Sequence, residues 1–185
     1  MSRLSVPGIL FLTLLGACER TPQPDASPQE TEIVAAPSCG SDGRLTTQLY
    51  GSIERQISWS SGELTCESML RPEGKGIRLR FTGIAADSKL AILLALPELQ
   101  RGSTVVESPT VVTFTVEGSG RFFSTPTIEA CWSDIAAQEL IEDDGDRYAI
   151  SGTLYCVAPL GEINGVAAIS IPKLEFSGIV DWSAT

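Results

Sequence analysis

The chain has 185 residues, 13 Lys and Arg against 23 Asp and Glu, a net charge of −10, and no histidine. An acidic surface repels nucleic-acid phosphate, which argues against nucleic-acid binding and favours solubility as the role of the charge. Without imidazole there is no Ser-His-Asp or Cys-His catalysis, no histidine-ligated zinc and no histidine-held haem.

At the N-terminus, Arg3 precedes an apolar stretch from Ile9 to Leu15, which runs into Leu15-Gly16-Ala17-Cys18. A basic start, a short apolar core and small residues before a cut are the parts of a secretory signal. The core is too short for a membrane span, which needs roughly 20 apolar residues. Leu15-Gly16-Ala17-Cys18 resembles the lipobox of bacterial lipoprotein precursors. The resemblance implies that residues 1–17 are removed and that the Cys18 thiol carries a diacylglyceryl group. Further acylation, palmitate among the chains, would hold the protein stably on a membrane. Glu19 follows where an Asp would signal inner-membrane retention, so the outer membrane facing the periplasm is the expected location.

Residues 18–38, with Pro22, Pro24, Pro28 and Pro37 among Gln, Glu, Ser and Ala, read as the lipid-attachment cysteine and a disordered tether. Residues 39–185 read as one domain. Arg71, Lys75, Arg78 and Arg80 form a local basic stretch against the acidic background. Arg78 and Arg80 are two apart, so on a strand they share a face and offer a candidate partner surface. Alternation then recurs along the chain. Ile77, Leu79, Phe81 and Gly83 lie on one face, opposite Arg78, Arg80 and Thr82. Leu90, Ile92 and Leu94 follow a turn near Asp87, and Pro97 ends that strand before a single helical turn over Glu98 to Arg101. Val112, Phe114 and Val116 lead through Glu117-Gly118-Ser119-Gly120 to a returning strand at Arg121. Tyr148, Ile150, Gly152, Leu154 and Cys156 alternate next. Asn164-Gly165 marks another turn before Ile169, Ile171 and the final run from Leu174 to Trp182. About eight short strands separated by turns predict an all-β antiparallel sandwich, with a closed barrel as the alternative. Trp59, Trp132 and Trp182 are expected in the core or at its rim.

With Cys18 lipidated, Cys39, Cys66, Cys131 and Cys156 remain, an even number that reads as two disulfides in an exported domain. Four cysteines allow three pairings. A hairpin loop at residues 142–145, marked by Asp143-Asp144-Gly145, places Cys131 directly opposite Cys156 and Trp132 opposite Tyr155. That leaves Cys39 for Cys66. The competing local reading is a helix over Ser133 to Asp143, which would remove the register argument.

Few catalytic sets remain. Asp143, Asp144 and Asp146 are a weak Ca²⁺ candidate whose spacing does not match a twelve-residue EF-hand loop. Ser88-Lys89 falls in a predicted turn, a solvated place for a Ser-Lys dyad. No pair of carboxylates stands out for glycoside hydrolysis, and Gly118-Ser119-Gly120 lacks the Lys of a phosphate loop. No cofactor is implied. Ser151-Gly152-Thr153-Leu154-Tyr155-Cys156, Leu174-Glu175-Phe176-Ser177-Gly178 and Asp181-Trp182 are together similar to uncharacterised small β-rich lipoproteins of proteobacteria. That resemblance implies a β-rich envelope domain and transfers no activity. The expected function is a non-enzymatic, membrane-anchored interaction or structural module with an envelope protein as partner. The alternative is a carrier of a lipid or other apolar molecule, with Leu90, Ile92, Leu94, Phe114 and Phe123 lining its cavity.

Overall fold

The computed structural model describes residues 38–72, 75–141 and 145–183. Cys18 and the tether lie outside them, as do Asp143 and Asp144 of the Ca²⁺ candidate. Within them run β1 (Arg44–Gly51), β2 (Arg55–Ser60), β3 (Leu64–Leu70), β4 (Ile77–Ala85), β5 (Ser88–Leu96), β6 (Val105–Pro109) and β7 (Val111–Val116). They are followed by β8 (Arg121–Ser124), β9 (Cys131–Leu140), β10 (Arg147–Cys156), β11 (Leu160–Glu162), β12 (Ala168–Ser170) and β13 (Leu174–Asp181). A 3₁₀ turn over Ile128–Ala130 precedes β9. Every ladder is antiparallel, and the hydrogen-bonded path runs β3-β4-β5-β7-β8-β11-β12-β1-β13-β10-β9-β6, with β2 on the side of β1.

The all-β antiparallel class is therefore as expected, but the strand number is thirteen rather than about eight. The sheet is also not closed, since β3 and β6 end the path, which corrects the barrel alternative. The count rises because β1, β2 and β3 each offer only two or three inward apolar residues, and Thr47 and Ser68 take inward positions in β1 and β3. Short β6, β11 and β12 are formed by pairing with neighbours rather than by their own pattern. The last of the path, β6, is interrupted by a bulge and ends at Pro109, two devices that keep an edge from pairing with another chain. Residues 97–98 and 101–102 are turns on either side of irregular Leu99 and Gln100, with Ser103 N donating to Gln100 O at 3.2 Å, and Glu98 to Arg101 is not a helical turn.

Strand β1 joins two arms of the path. Its start, Arg44–Thr47, pairs with β13, and its end, Tyr50 and Gly51, pairs with β12. Apolar side chains from both arms meet between them. The Phe81 ring of β4 lies 5.6 Å from that of Phe176 on β13. Trp59 of β2 packs directly under Gly83 of β4, with its indole N–H donating to Ile84 O at 2.8 Å. Leu45, Leu49, Ile57, Phe81, Phe114, Phe123 and Phe176 are all buried there. Trp59 is a core residue, whereas Trp182 is half-buried against the core.

Cys39 is bonded to Cys66, and Cys131 to Cys156. The region expected to compete as a helix is strand β9. Cys131 faces Cys156 and Trp132 faces Tyr155, the register inferred from the hairpin, but by a different route. The loop is one residue longer than 142–145, since Ile141 N donates to Arg147 O. A bulge then inserts one unpaired residue into β9 between Ala137, opposite Ser151, and Ile135, opposite Gly152. The two one-residue offsets cancel, so the cysteines end up opposite each other.

Candidate interaction surface

Alternation along β4 turns Ile77, Leu79 and Phe81 inward and leaves Arg78 and Arg80 half-exposed on the outer face. The two arginines differ in their surroundings. Arg80 donates to Glu67 of β3 at 2.6 Å and to Glu117, and Lys89 lies 2.9 Å from the other oxygen of Glu117. Its charge is thus balanced within the domain. Hydrogen bonding to Glu67, then the fields of Glu67 and Glu117, raises its pKa further above the ordinary guanidinium value. Arg78 makes no ion pair or hydrogen bond with another described residue. Arg71 has a partner of its own, and Lys75 is exposed in the turn before β4. The basic stretch is therefore not one continuous patch.

What lies beside Arg78 comes from other strands. Met69 of β3 and Ala95 of β5 are its register partners, and Leu93 is the partner of Arg80. Met69 is 40% exposed, and Leu93 and Ala95 are half-buried on the same outer face. The run Leu90-Ala91-Ile92-Leu93-Leu94-Ala95-Leu96 carried the signal for this. A continuous apolar run signals a strand with apolar residues on both faces, and Leu93 and Ala95 are half-buried on the outer one, between Arg78 and Arg80 of β4 and Val111 and Thr113 of β7. An unpartnered cation with Met69, Leu93 and Ala95 around it is a mixed surface able to hold an apolar side chain and a carboxylate together.

Other candidates are not brought together. Asp146 is ion-paired with Arg101, whose other nitrogens donate to Tyr148 Oη at 3.2 Å and Gly145 O at 2.6 Å. No group of three or more metal-ligating side chains exists among the described residues. Lys89 and Lys173 are each in an ion pair, with Glu117 and, at 2.6 Å, with Glu175. Grooves open on the surface of the described residues. One of about 460 Å³ lies between the Gly40–Asp42 segment and the outer side of β9, β10 and β13. A polar one of about 350 Å³ lies beside Gln48 and Lys173, and a cleft of about 570 Å³ is walled by Trp182 and residues 97–101.

Three carboxylates are held below the ordinary range. Glu117 is lowered chiefly by the hydrogen bond from Lys89, then by the charges of Lys89 and Arg80. Glu175 is lowered by the hydrogen bond from Lys173, and Glu63 by the backbone N–H and then the hydroxyl of Ser60. A carboxylate whose folded pKa lies below its unfolded value, about 4.3 for Glu, stabilises the fold at higher pH and loses that contribution as pH falls through the folded value. The stability advantage of wild type over Glu117→Gln should therefore stay constant from about pH 7 to 5 and shrink as pH falls below the unfolded value of about 4.3, read as the difference in urea midpoints. A difference that grows on acidification would contradict the arrangement of charges around Glu117.

The chain matches no family model, no curated protein and no solved structure.

Proposed function

We propose that this chain is a lipid-anchored protein of the bacterial cell envelope, held through acyl chains on Cys18 at the outer membrane facing the periplasm. Its domain is a non-catalytic β-sandwich that docks an envelope protein. Two disulfides in one small domain fit an oxidising compartment. The sandwich reading is supported by the contacts between the two arms, Phe81 with Phe176 and Trp59 with Gly83. The docking reading rests on one observation: Arg78 stands without an ionic partner among the described residues, beside exposed Met69. The carrier alternative is less well supported. Leu90, Ile92, Leu94, Phe114 and Phe123 are buried in the common core, and the Phe114 and Phe123 rings meet edge-on at 6.1 Å. None of these five lines any of those grooves.

The test is made in the intact cell. The membrane-extracted protein should begin at a diacylated Cys18, and Cys18→Ser should leave the chain out of the membrane fraction. A photo-crosslinking residue at Met69 should yield a discrete adduct with an envelope protein. Arg78→Glu should reduce that adduct by about tenfold or more, since reversing one partner of a charge pair costs more than 1.4 kcal/mol. Arg80→Glu alone mainly disturbs Glu67 and Glu117. An adduct unchanged in the Arg78→Glu, Arg80→Glu double variant would remove this surface.

A further inference from the structure

The turn between β11 and β12 carries exposed apolar side chains. Val166 is fully exposed, Ile163 is 52% exposed and Phe122 is 43% exposed. Ile163 N donates to Phe122 O at 2.7 Å, so the three apolar side chains belong to one tip. The tip is tightly built. Glu162 N donates to Ala167 O at 2.8 Å, Gly165 N donates to Glu162 O at 3.2 Å, and Asn164 takes the left-handed conformation with φ 61°. Behind it, Arg121 donates to Glu162 at 2.6 Å and lies over the Phe123 ring. The charges at the tip are therefore balanced, although the chain as a whole carries −10. By contrast, the described tips at Ala86–Asp87, residues 117–120 and residues 61–63 carry charged or small residues. Ile84, Val106 and Leu140 are exposed on separate strands, and Ile128 and Val157 are exposed at the open end of the β9–β10 hairpin, where Val157 N donates to Ala130 O, not at a tip. Solvated turns favour Gly, Asn, Asp and Ser, so aliphatic residues on both flanks of Asn164-Gly165 call for an apolar contact.

We infer that this tip is a membrane wedge: Ile163 and Val166, with Phe122, enter the interfacial region of the bilayer that holds the anchor. The inference rests on the lipid-anchor reading. Residues 19–37 span at most roughly 65 Å even when fully extended, so the domain cannot leave the neighbourhood of the bilayer. On such a leash, a small apolar patch too weak to bind a membrane alone meets lipid at a high effective concentration. Uncharged aliphatic and aromatic side chains are the ones that enter the headgroup and acyl boundary. The wedge converts a domain that merely hangs from its lipid into one with a fixed orientation on the surface.

The full-length chain, expressed with its own leader in bacterial cells and reconstituted in phosphatidylcholine vesicles, tests this. Val166→Trp should add, over the wild-type emission, a blue-shifted component that lipid brominated on its acyl chains quenches about twofold or more. Val106→Trp, on an exposed position of β6, should add a red component that brominated lipid leaves unchanged. Adding Ile163→Asp to Val166→Trp should return the new emission to the red while the chain still sediments with the vesicles. Unquenched Val166→Trp emission in a chain that sediments with the vesicles would overturn the wedge and leave the anchor standing. A chain that does not sediment with them would overturn the anchor and the wedge together.

Discussion

Replacing both Cys131 and Cys156 by alanine is expected to lower the stability of the oxidised domain by about 3.5 kcal/mol, the chain-entropy value for a loop of this size. The two cysteines are 25 residues apart in sequence and face each other across β9 and β10. Their bond removes open conformations from the unfolded chain, so its loss should also raise the urea m-value as the unfolded state expands. Urea unfolding followed by tryptophan fluorescence gives both quantities. The Cys39–Cys66 bridge spans 27 residues, and the same argument assigns it nearly the same value. Its consequence is different in place. It ties the segment ahead of β1 to β3, where Ser38 Oγ also accepts from Cys66 N at 3.0 Å. A loss below about 1 kcal/mol for the Cys131, Cys156 pair would mean that the β9–β10 ladder alone restricts the unfolded chain.

Gly83→Ala is expected to cost about 2 kcal/mol, in the range of overpacked cores, even though alanine is the smallest side chain available. A Cβ at this position would lie 2.5 Å from the Trp59 ring. The ring cannot retreat easily, because Trp59 is buried and its indole N–H is bonded to Ile84 O on the same strand as Gly83. Trp59→Ala alone should cost about 4 kcal/mol through the cavity and the unpaired carbonyl it leaves. The discriminating result is the double variant. With the ring gone, Gly83→Ala should cost less than about 0.5 kcal/mol, so the two changes are far from additive. Equal costs of Gly83→Ala in both backgrounds would mean that strand conformation, not the contact between the arms, demands glycine at this position.

Trp59 and Gly83 also show where reading the chain residue by residue stops. Nothing local pairs a tryptophan on β2 with a glycine on β4, because their contact arises only when two arms of the path fold against each other. Equally, Arg78 and Arg80 share a face by period alone, so that part of the candidate surface is legible in the chain. Their different roles are not, since the partners of Arg80 come from Glu67 and Glu117 on other elements. Met69, Leu93 and Ala95 likewise reach Arg78 and Arg80 through register.

Strands β4, β7, β10 and β13 are legible in the chain from two-residue alternation, β5 from a continuous apolar run, and the turns at Asp87, residues 117–120 and Asn164-Gly165 from their turn residues. These follow from local sterics and from one buried face, and need no partner to be recognised. That β1 serves both arms, that the short strands β6, β11 and β12 exist, and that a bulge in β9 restores the register at the disulfide follow from contacts between residues distant in the chain. A strand of three to five residues such as β6, β11 or β12 is too short to gain much from its own pattern. It is stabilised by ladder hydrogen bonds and burial supplied by residues distant in the chain.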